Sequence, residues 1–271
     1  MFRLQERGAS PATTFRALQL LDEASLDKVL DRIEASGVNS VAISLLHSYA
    51  NPIHEERIAA AVRERLPDAN LSVSSELLPE MREYERTSTT VINAYVRPVV
   101  ARYLTLLEEG LRARNITVPL TIMQSNGGSM PSAAAETEPL RTLLSGPAGG
   151  GVGAFELLKV AGHDKIITLD MGGTSTDASL CDGKISTTNE AFVDHLPIPI
   201  QMIGIHTIGA GGGSIARIDS GGLLRVGPQS AGADPGPVCY GKGQDVTVTD
   251  ANLFLGRMDP DYFLGGKMRL Y

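Results

Sequence analysis

The sequence has 271 residues, of which 42% are hydrophobic and 20% are charged, and this ordinary composition excludes disordered and fibrous proteins. The formal net charge is -7 and Lys and Arg form no basic run, so neither nucleic acid nor an anionic membrane surface is an expected partner. The two cysteines cannot build a disulfide framework, and neither a signal peptide nor an apolar run of about eighteen residues is present. A cytoplasmic globular protein is expected.

The first third of the chain alternates between helical and strand patterns. Apolar residues at helical spacing predict a helix over residues 25–36, which ends at Gly37. The apolar run over residues 38–46 predicts a strand buried on both faces. A second helix is predicted over residues 54–66 and a short strand over residues 71–73.

A long helical pattern follows over residues 83–114, with a kink or break predicted at Pro98. Residues 120–123 predict a short buried strand that ends in the turn sequence Asn-Gly-Gly at residues 126–128. The alternation of helices and strands predicts an α/β fold.

The predicted elements that follow, from residue 145 onward, are rich in glycine. Residues 149–160 predict a helix whose glycine-rich approach, residues 145–151, suggests close packing against a neighbour. Residues 165–169 predict a strand that runs directly into an acidic loop. Further strands are predicted over residues 178–180 and 185–188, around an Asp-Gly turn, and over residues 215–218.

The acidic loop, DMGGTSTD at residues 170–177, carries the strongest chemical signal. Its glycines let a polyphosphate approach the backbone closely, and the hydroxyl of Thr174 adds a donor. A carboxylate repels phosphate, so Asp170 makes sense here as the ligand of a divalent cation, directly or through water. On spacing alone, a glycine-rich turn capped by Asp170 explains the string equally well. The strands on both sides favour the phosphate loop.

The order of a strand, the motif Asp-x-Gly-Gly-Thr and a second strand resembles a phosphate loop of the actin, Hsp70 and sugar-kinase ATPases. Longer strings resemble the hydantoinase A/5-oxoprolinase family, which includes N-methylhydantoinase A and acetone carboxylase-type subunits. These strings are LSGPAGG at 144–150, TLDMGGTSTD at 168–177, TIGAGGGSIA at 207–216 and SAGADPGPVCYG at 230–241. The resemblance extends upstream through LLHSY at 45–49, REYERTST at 82–89 and MQSNGG at 123–128, and so covers nearly the whole chain.

The resemblance implies an actin/Hsp70-like, ribonuclease H-like ATPase fold with mixed sheets flanked by helices. It implies ATP and Mg²⁺ as cofactors, and hydrolysis of a cyclic amide such as a hydantoin or 5-oxoproline through phosphorylation of the substrate carbonyl. A hydantoinase B-type subunit or domain is the implied partner. A ketone carboxylase-type subunit, or a non-catalytic lobe that binds another subunit, remains an alternative.

The same resemblance assigns roles to individual residues. It makes Asp170 the metal-organising carboxylate and, with Thr174, the catalytic set. The cofactor-binding set that it implies consists of Gly172, Gly173 and Thr174, with Thr176 and Asp177 as supporting candidates behind them. From the residues themselves, Gly211, Gly212 and Gly213 join the set as a possible second anion-binding loop, although a flexible turn before a strand explains them about as well. Residues 145–151 are interpreted as a hinge.

The predicted division follows the family. Residues 1–66 are interpreted as the C-terminal part of its N-terminal region, and residues 67–271 as the N-terminal part of its main domain, with the phosphate-binding hairpin at 165–180. The family's second Asp-x-Gly-Gly-Thr loop and its glycine-rich adenosine segment have no counterpart in the sequence. An incomplete fold, an internal or truncated piece with little turnover of its own, is therefore expected.

Other chemical candidates are explained more simply by structural roles. Asp194, His195 and His206 flank the second glycine loop and could ligate a metal or shuttle protons, although structural roles are favoured. Cys181 and Cys239 are expected to be buried, inert thiols. The pair at residues 55–56 is interpreted as helix-start charge. The set Arg82, Glu83, Glu85 and Arg86 is interpreted as a solvated or ion-paired helix face, with a substrate cleft as the weaker alternative.

Overall fold

The computed structural model describes residues 2–5, 14–17, 21–193 and 195–271, so Asp194 lies outside the described residues. The chain divides into two compact units. The first consists of Met1–Ser145 and Thr187–Met202, and the second of Gly146–Ser186 and Ile203–Tyr271. Within the described residues, no helix has the length and apolar character that a membrane span requires.

The strands are, in chain order, β1 (Phe2–Gln5), β2 (Thr14–Ala17), β3 (Ser40–Ile43), β4 (Asn70–Val73), β5 (Thr121–Met123), β6 (Ser129–Pro131), β7 (Lys165–Met171), β8 (Thr176–Asp182), β9 (Thr187–Thr188), β10 (Ala191–Val193), β11 (Leu196–Ile198), β12 (Met202–Ile203), β13 (Ile205–Ile208), β14 (Ser214–Ile218) and β15 (Leu224–Ser230). The α-helices are α1 (Glu23–Ser36), α2 (Ile53–Arg65), α3 (Ser74–Leu77), α4 (Glu83–Arg112), α5 (Ser132–Thr137), α6 (Ser145–Val160) and α7 (Val248–Phe254).

A parallel strand pair organises the start of the first unit. β3 and β4 pair from Ser40 opposite Asn70 to Ile43 opposite Val73, and α2 connects them. The helices and strands bury one apolar cluster, made of Leu26, Leu30, Ile43, Ala59, Val62, Leu71 and Val73. The helix predicted over 25–36 is confirmed as α1, and Gly37 closes it in the left-handed conformation at φ 66°.

The strand predicted over 38–46 is shorter than expected and is not buried on both faces. β3 ends at Ile43, and Ala42 within it is exposed. The chain leaves the strand because the backbone N–H of Leu45 donates to the carboxylate of Glu55 at 2.7 Å instead of extending the ladder.

The long helix α4 runs through Pro98 without a break, so of the predicted kink or break, the break is wrong. Proline removes one helical hydrogen bond, but packing on both sides of it holds the helix together. Before the proline, Ile92 and Val96 pack on the cluster of Leu140, Ile198, Ile200 and Met202. After it, Leu104 is buried with Met130 and Ala135. These contacts also place Thr187–Met202 in the first unit.

A buried polar network joins α2, α3 and α4. Arg86 is 0% exposed, so it is not part of the solvated or ion-paired helix face that the sequence suggested. Glu55 lies in the first turn of α2, as predicted, but it is also 0% exposed. The Glu55 carboxylate accepts hydrogen bonds from the Oγ of Ser74 at 2.7 Å and from the N–H of Ser75 at 2.8 Å. The Arg86 guanidinium donates to Ser74 Oγ and to two backbone carbonyl oxygens, those of Glu80 and Leu45. The buried charges are thus satisfied through neutral groups, as burial requires.

The second unit is built on a three-stranded antiparallel sheet in the order β13-β8-β7. The strand predicted over 185–188 does not pair along β8, because β13 occupies that edge; Ile185 makes only an isolated bridge to Cys181. α6 begins at Ser145, earlier than predicted, so the glycine-rich segment 145–151 is its first part. A Cβ on Gly151 would make an ordinary contact of 3.5 Å with Ser179 Oγ, and a Cβ on Gly146 or Gly150 would meet no atom within 4 Å, so the glycines do not mark the close packing that the sequence suggested.

Candidate functional site

The hairpin predicted over 165–180 is formed by β7 and β8. These strands pair in antiparallel register from Lys165 opposite Asp182 to Met171 opposite Thr176. The loop between them is closed by a hydrogen bond of 2.9 Å from the N–H of Gly172 to the carbonyl oxygen of Ser175. Both glycines of the loop and Thr174 are exposed, and the N–H groups of Gly173 and Thr174 are the main-chain donors there that make no hydrogen bond within the described residues.

A second glycine loop, residues 209–213, packs directly on the first. The N–H of Gly212 donates to the carbonyl oxygen of Gly172 at 2.9 Å, and that of Gly213 donates to the carbonyl oxygen of Gly173 at 2.6 Å. A Cβ on Gly211 would lie only 2.7 Å from the backbone of Gly172 and of Thr174. A side chain at this position would separate the two loops, which is the physical reason for glycine there. Residues 211–213 are therefore held in place and do not form a loose turn.

Side-chain hydrogen bonds hold the hairpin both to the second loop and to β13, the strand before it. Thr176 Oγ1 donates to the carbonyl oxygen of Ala210 at 2.6 Å, and Thr207 Oγ1 donates to Asp177 Oδ1 at 2.5 Å. Thr176 and Asp177 are both buried. Their positions suit a supporting role beside a binding site.

The two glycine loops form one wall of a cavity of about 420 Å³. The loop residues that line it are Gly172, Gly173, Thr174, Gly212 and Gly213, and the other lining residues are Ser230, Gly232, Ala233, Pro237, Tyr240 and Thr249. Small residues dominate this lining. The cavity can therefore admit a polar ligand close to the main chain.

The two aspartates of the motif lie at a different cavity. Asp170 and Asp177 are direct partners across the β7–β8 ladder, so their side chains leave the same face of the sheet. Both line a cavity of about 400 Å³ between the hairpin and α6, where Ile166, Ala154 and Leu158 supply apolar walls. Asp170 is exposed and Asp177 is largely buried. Two facing carboxylates are suitable oxygen ligands for a divalent cation.

The remaining candidates do not assemble into a further centre. His206 lies in β13 of the second unit, opposite Ala178 and exposed, whereas His195 belongs to the first unit. Asp194 lies outside the described residues. Across the described parts of the chain, no three His, Cys, Asp or Glu residues are grouped as a metal site requires.

Both cysteines are buried free thiols, as predicted. Burial, together with the hydrogen bond and negative charge of Asp250, raises the pKa of Cys239 to about 12. Burial also raises the pKa of Cys181. A thiol that stays protonated at neutral pH is a poor nucleophile, so neither cysteine is a candidate for covalent chemistry.

Sequence reasoning missed the contribution of α7. Thr249, at its start, donates to the carbonyl oxygen of Gly212 both from its backbone N–H and from Oγ1, each at 2.8 Å. Thr247 and Asp250 form a reciprocal capping box that begins this helix. The spacing of Thr247 and Asp250 was a readable signal for a helix start, although not for its contact with the glycine loop.

Comparisons with known proteins identify the family of the chain. The family model described as hydantoinase/oxoprolinase matches residues 86–271, which is more than half of the chain. The model for the hydantoinase/oxoprolinase N-terminal region matches residues 6–66. The chain therefore belongs to the hydantoinase/oxoprolinase family.

Individual relatives and solved structures show which members of this family the chain resembles. Caprolactamase subunit alpha from Pseudomonas jessenii is 43% identical over 252 residues, which cover 92% of this chain and 36% of the relative. A crystal structure of the ATP-dependent caprolactamase from this organism matches with a TM-score of 0.75 and 42% identity, over 100% of this chain and 38% of that one. The 5-oxoprolinase of Saccharomyces cerevisiae is 40% identical over 254 residues, covering 92% of this chain and 19% of the relative.

A nucleotide-free structure of acetone carboxylase, from work on ATP-dependent acetone carboxylation, matches with a TM-score of 0.78 and 29% identity. That match covers 99% of this chain and 38% of the other. The fold is the α/β, actin-like ATPase fold that these enzymes share. The chain spans less than two fifths of the length of each of these relatives.

Proposed function

We propose that this chain carries the phosphate-binding hairpin of an ATP-dependent hydrolase that opens a cyclic amide, as part of a larger subunit. ATP would supply the phosphoryl group that makes an amide carbonyl labile, and Mg²⁺ would neutralise charge on its phosphates. The proposal includes a cytoplasmic location and the family division at residues 66 and 67.

The observation that carries the proposal is the pair of glycine loops that line one cavity. On the hairpin, Gly173 and Thr174 are exposed, and no hydrogen bond from their N–H groups is found among the described residues, whereas residues 211–213 use their own N–H groups to hold the loops in place. Two main-chain donors fixed in this way would stabilise phosphate charge without having to reorganise when the ligand binds. Thr174 lines the same cavity, and its exposed hydroxyl adds a donor.

The cation would be held by the aspartate pair. Because this pair lines a different cavity from the glycine loops, the proposal requires the phosphates to extend from the loops to Asp170, two residues before Gly172. Asp170 and Asp177 present oxygen ligands from facing positions of the hairpin, and the hydrogen bond from Thr207 fixes the orientation of Asp177. Two carboxylates with remaining water ligands are the usual protein contribution to a Mg²⁺ site. We therefore assign Asp170 as the principal metal ligand and Asp177 as its supporting partner.

The substrate class is proposed from the relatives. Caprolactamase and 5-oxoprolinase are named for cyclic amides, and the two relatives are 43% and 40% identical to this chain. The structural match to acetone carboxylase favours, as a second candidate, a subunit that activates a ketone for carboxylation. Since the caprolactamase relative is an alpha subunit, a partner subunit of the hydantoinase B type is part of the proposal.

The test uses the full-length protein together with its partner subunit. Phosphate release from Mg-ATP is measured with 5-oxoproline, caprolactam, a hydantoin and acetone, for the wild type and for Asp170→Asn. We expect one of the cyclic amides to stimulate release and Asp170→Asn to abolish the stimulation. Asp182→Asn, at the far end of the same hairpin, is the matched control and should keep it. Stimulation by acetone alone would select the carboxylase, and unchanged activity in Asp170→Asn would overturn the assignment of the loop.

A further inference from the structure

One long side of α4 is apolar although it faces solvent. The opposite side is buried in the first unit and includes Arg86, Asn93 and Leu104. On the exposed side, large apolar side chains stand where a solvated helix normally carries charges. The members of this α4 stripe, each with half or more of its surface exposed, are Tyr84, Val91, Tyr95, Val99 and Leu106. Single exposed apolar residues are common, but five along one helix indicate a contact surface.

The spacing of the α4 stripe is symmetric. Its members follow one another at intervals of 7, 4, 4 and 7 residues. Since an α-helix has 3.6 residues per turn, intervals of four and seven return to the same face. The intervals read the same from either end, so Tyr95 is the centre of the stripe.

A symmetric stripe is complementary to a second copy of itself. In a dimer with a twofold axis, each residue meets the counterpart of its own contact on the other copy. If two α4 helices lie antiparallel with Tyr95 against Tyr95, Val91 of one copy meets Val99 of the other. Tyr84 then meets Leu106 in the same way. Each apolar member of the stripe therefore has an apolar partner.

The charges on this side of α4 suit the same arrangement. Arg102 is exposed and lies seven residues after Tyr95, so it would stand opposite Ser88, which lies seven residues before. The Glu85 carboxylate, one turn before Ser88, is then within reach of the Arg102 guanidinium. Within the chain, Glu85 has an ion pair of 3.7 Å with Arg82. Antiparallel pairing thus brings opposite charges together at both ends of the contact.

We propose that the α4 stripe is a dimerisation surface, through which two copies of this chain pack antiparallel about a twofold axis at Tyr95. Each of the five side chains exposes on the order of 100 Å², so the pair would bury about 1,000 Å², near the lower limit for a specific interface. The dimer should therefore be reversible, with a dissociation constant in the micromolar range. The proposal uses no residue of the glycine loops and does not depend on the proposed function.

A cysteine at the centre of the α4 stripe tests this arrangement. Tyr95→Cys places two thiols opposite each other, so mild oxidation should link two copies by a disulfide. The control is Tyr103→Cys, at an exposed tyrosine of the same helix, whose two copies would lie about 24 Å apart along the helix axis. Cys181 and Cys239 are buried and should not compete. Electrophoresis without reductant should show a covalent dimer for Tyr95→Cys alone, and any other pattern would overturn the proposal.

A charged substitution tests the apolar contact without a crosslink. Tyr95→Glu would set two carboxylates against each other, so sedimentation velocity should show a monomer at concentrations where the wild type is a dimer. Val160→Glu makes the same kind of change at an exposed residue of α6 and should dimerise as the wild type does. Both positions are exposed, so both variants should keep the wild-type unfolding transition. A wild type that stays monomeric up to about 1 mM, or a Tyr95→Glu variant that still dimerises, would contradict the proposal.

The same oxidation in the full-length protein, together with its partner subunit, shows whether the α4 stripe is available there. A covalent dimer of Tyr95→Cys would extend the proposal to the assembled protein. Loss of the crosslink would mean that another part of the subunit, or its partner, covers the stripe, and would overturn the proposal. Because no nucleotide is used, the result is separate from the outcome for the glycine loops.

Discussion

Thr249 donates two hydrogen bonds to one carbonyl oxygen, that of Gly212, one from its backbone N–H and one from Oγ1. Gly212 in turn donates its N–H to Gly172 in the hairpin. The start of α7 thereby fixes the second glycine loop, and that loop fixes the first. A short helix at the end of the chain thus determines where the hairpin backbone lies.

Replacing Thr249 tests this relationship. Thr249→Val removes the Oγ1 bond but keeps the backbone bond and the shape of the side chain. We expect a loss of about 1 kcal/mol in the free energy of unfolding, as for one buried hydrogen bond. Chemical denaturation measures it, and Thr249→Ser, which keeps the hydroxyl, is the control. Equal stability of both variants would show that Oγ1 does not support the loop.

Two glycines in contact with each other should respond differently to the same substitution. Gly211→Ala places a Cβ 2.7 Å from backbone atoms of the hairpin, so we expect a loss of about 1 to 3 kcal/mol in stability. Gly173→Ala meets no atom within 4 Å and should leave stability unchanged. If phosphate approaches that backbone, however, Gly173→Ala should weaken Mg-ATP binding. Thermal unfolding and nucleotide titration separate the two effects, and normal stability of Gly211→Ala would contradict the close contact.

Because Asp170 and Asp177 face each other, we expect Asp170→Asn to lose Mg²⁺ binding without losing stability. Like charges at opposed positions of a ladder are destabilising, so Asp170→Asn should unfold at the same or a higher temperature in the absence of divalent cations. Mg²⁺ should raise the unfolding temperature of the wild type and leave that of the variant unchanged. An equal response of both proteins to Mg²⁺ would remove Asp170 from the metal site.

The environment of Cys239 predicts chemical inertness. Because its pKa is raised to about 12, the thiol remains protonated at pH 8 and lacks the thiolate that reacts with maleimides and disulfide reagents. We expect no labelling of Cys239 in the folded protein and full labelling in denaturant, as measured by peptide mass spectrometry. Rapid modification under native conditions would refute the buried, protonated state.

The network around Arg86 predicts a large structural penalty. Arg86→Met leaves the carbonyl oxygen of Glu80 without its donor and removes the charged donors to Ser74 Oγ and to the carbonyl oxygen of Leu45, which keeps the hydroxyl of Ser48. Each loss of a hydrogen bond from a buried charged group costs about 1 to 3 kcal/mol. We expect a decrease of about 3 kcal/mol or more in the free energy of unfolding. Arg82→Met, whose side chain is 74% exposed, should change it by roughly 0.5 kcal/mol or less. A small effect at Arg86 would mean that the network contributes little.

The sequence predicted those features that depend on local order. Apolar periodicity located α1, α2 and the hairpin, and the glycine-rich motif located the loop at Gly172 and Gly173. It failed where distant segments decide the outcome. Pro98 is tolerated because remote apolar residues hold α4, and residues 185–188 lose their predicted pairing because β13 takes the edge of β8.

The residues of the candidate site also fall into those that local sequence predicted and those that it did not. The residues of the hairpin were readable from the motif, but the support from Thr249 and Thr207 was not, because side-chain donors to a distant backbone carbonyl or carboxylate leave no periodic pattern. The burial of Arg86 was missed for a similar reason. Its neighbours in sequence are charged and exposed, whereas its partners at Leu45 and Ser74 come from other elements.

The polar network has a consequence for exchanging segments between relatives. The N-terminal family model ends at residue 66, yet Glu55 lies before that point, and Ser74 and Arg86, on which its burial depends, lie after it. β3 likewise precedes the boundary and its partner β4 follows it. A chimera joined at Leu66 would inherit its buried acid from one parent and its buried base from the other, so such swaps should succeed only between parents that share both.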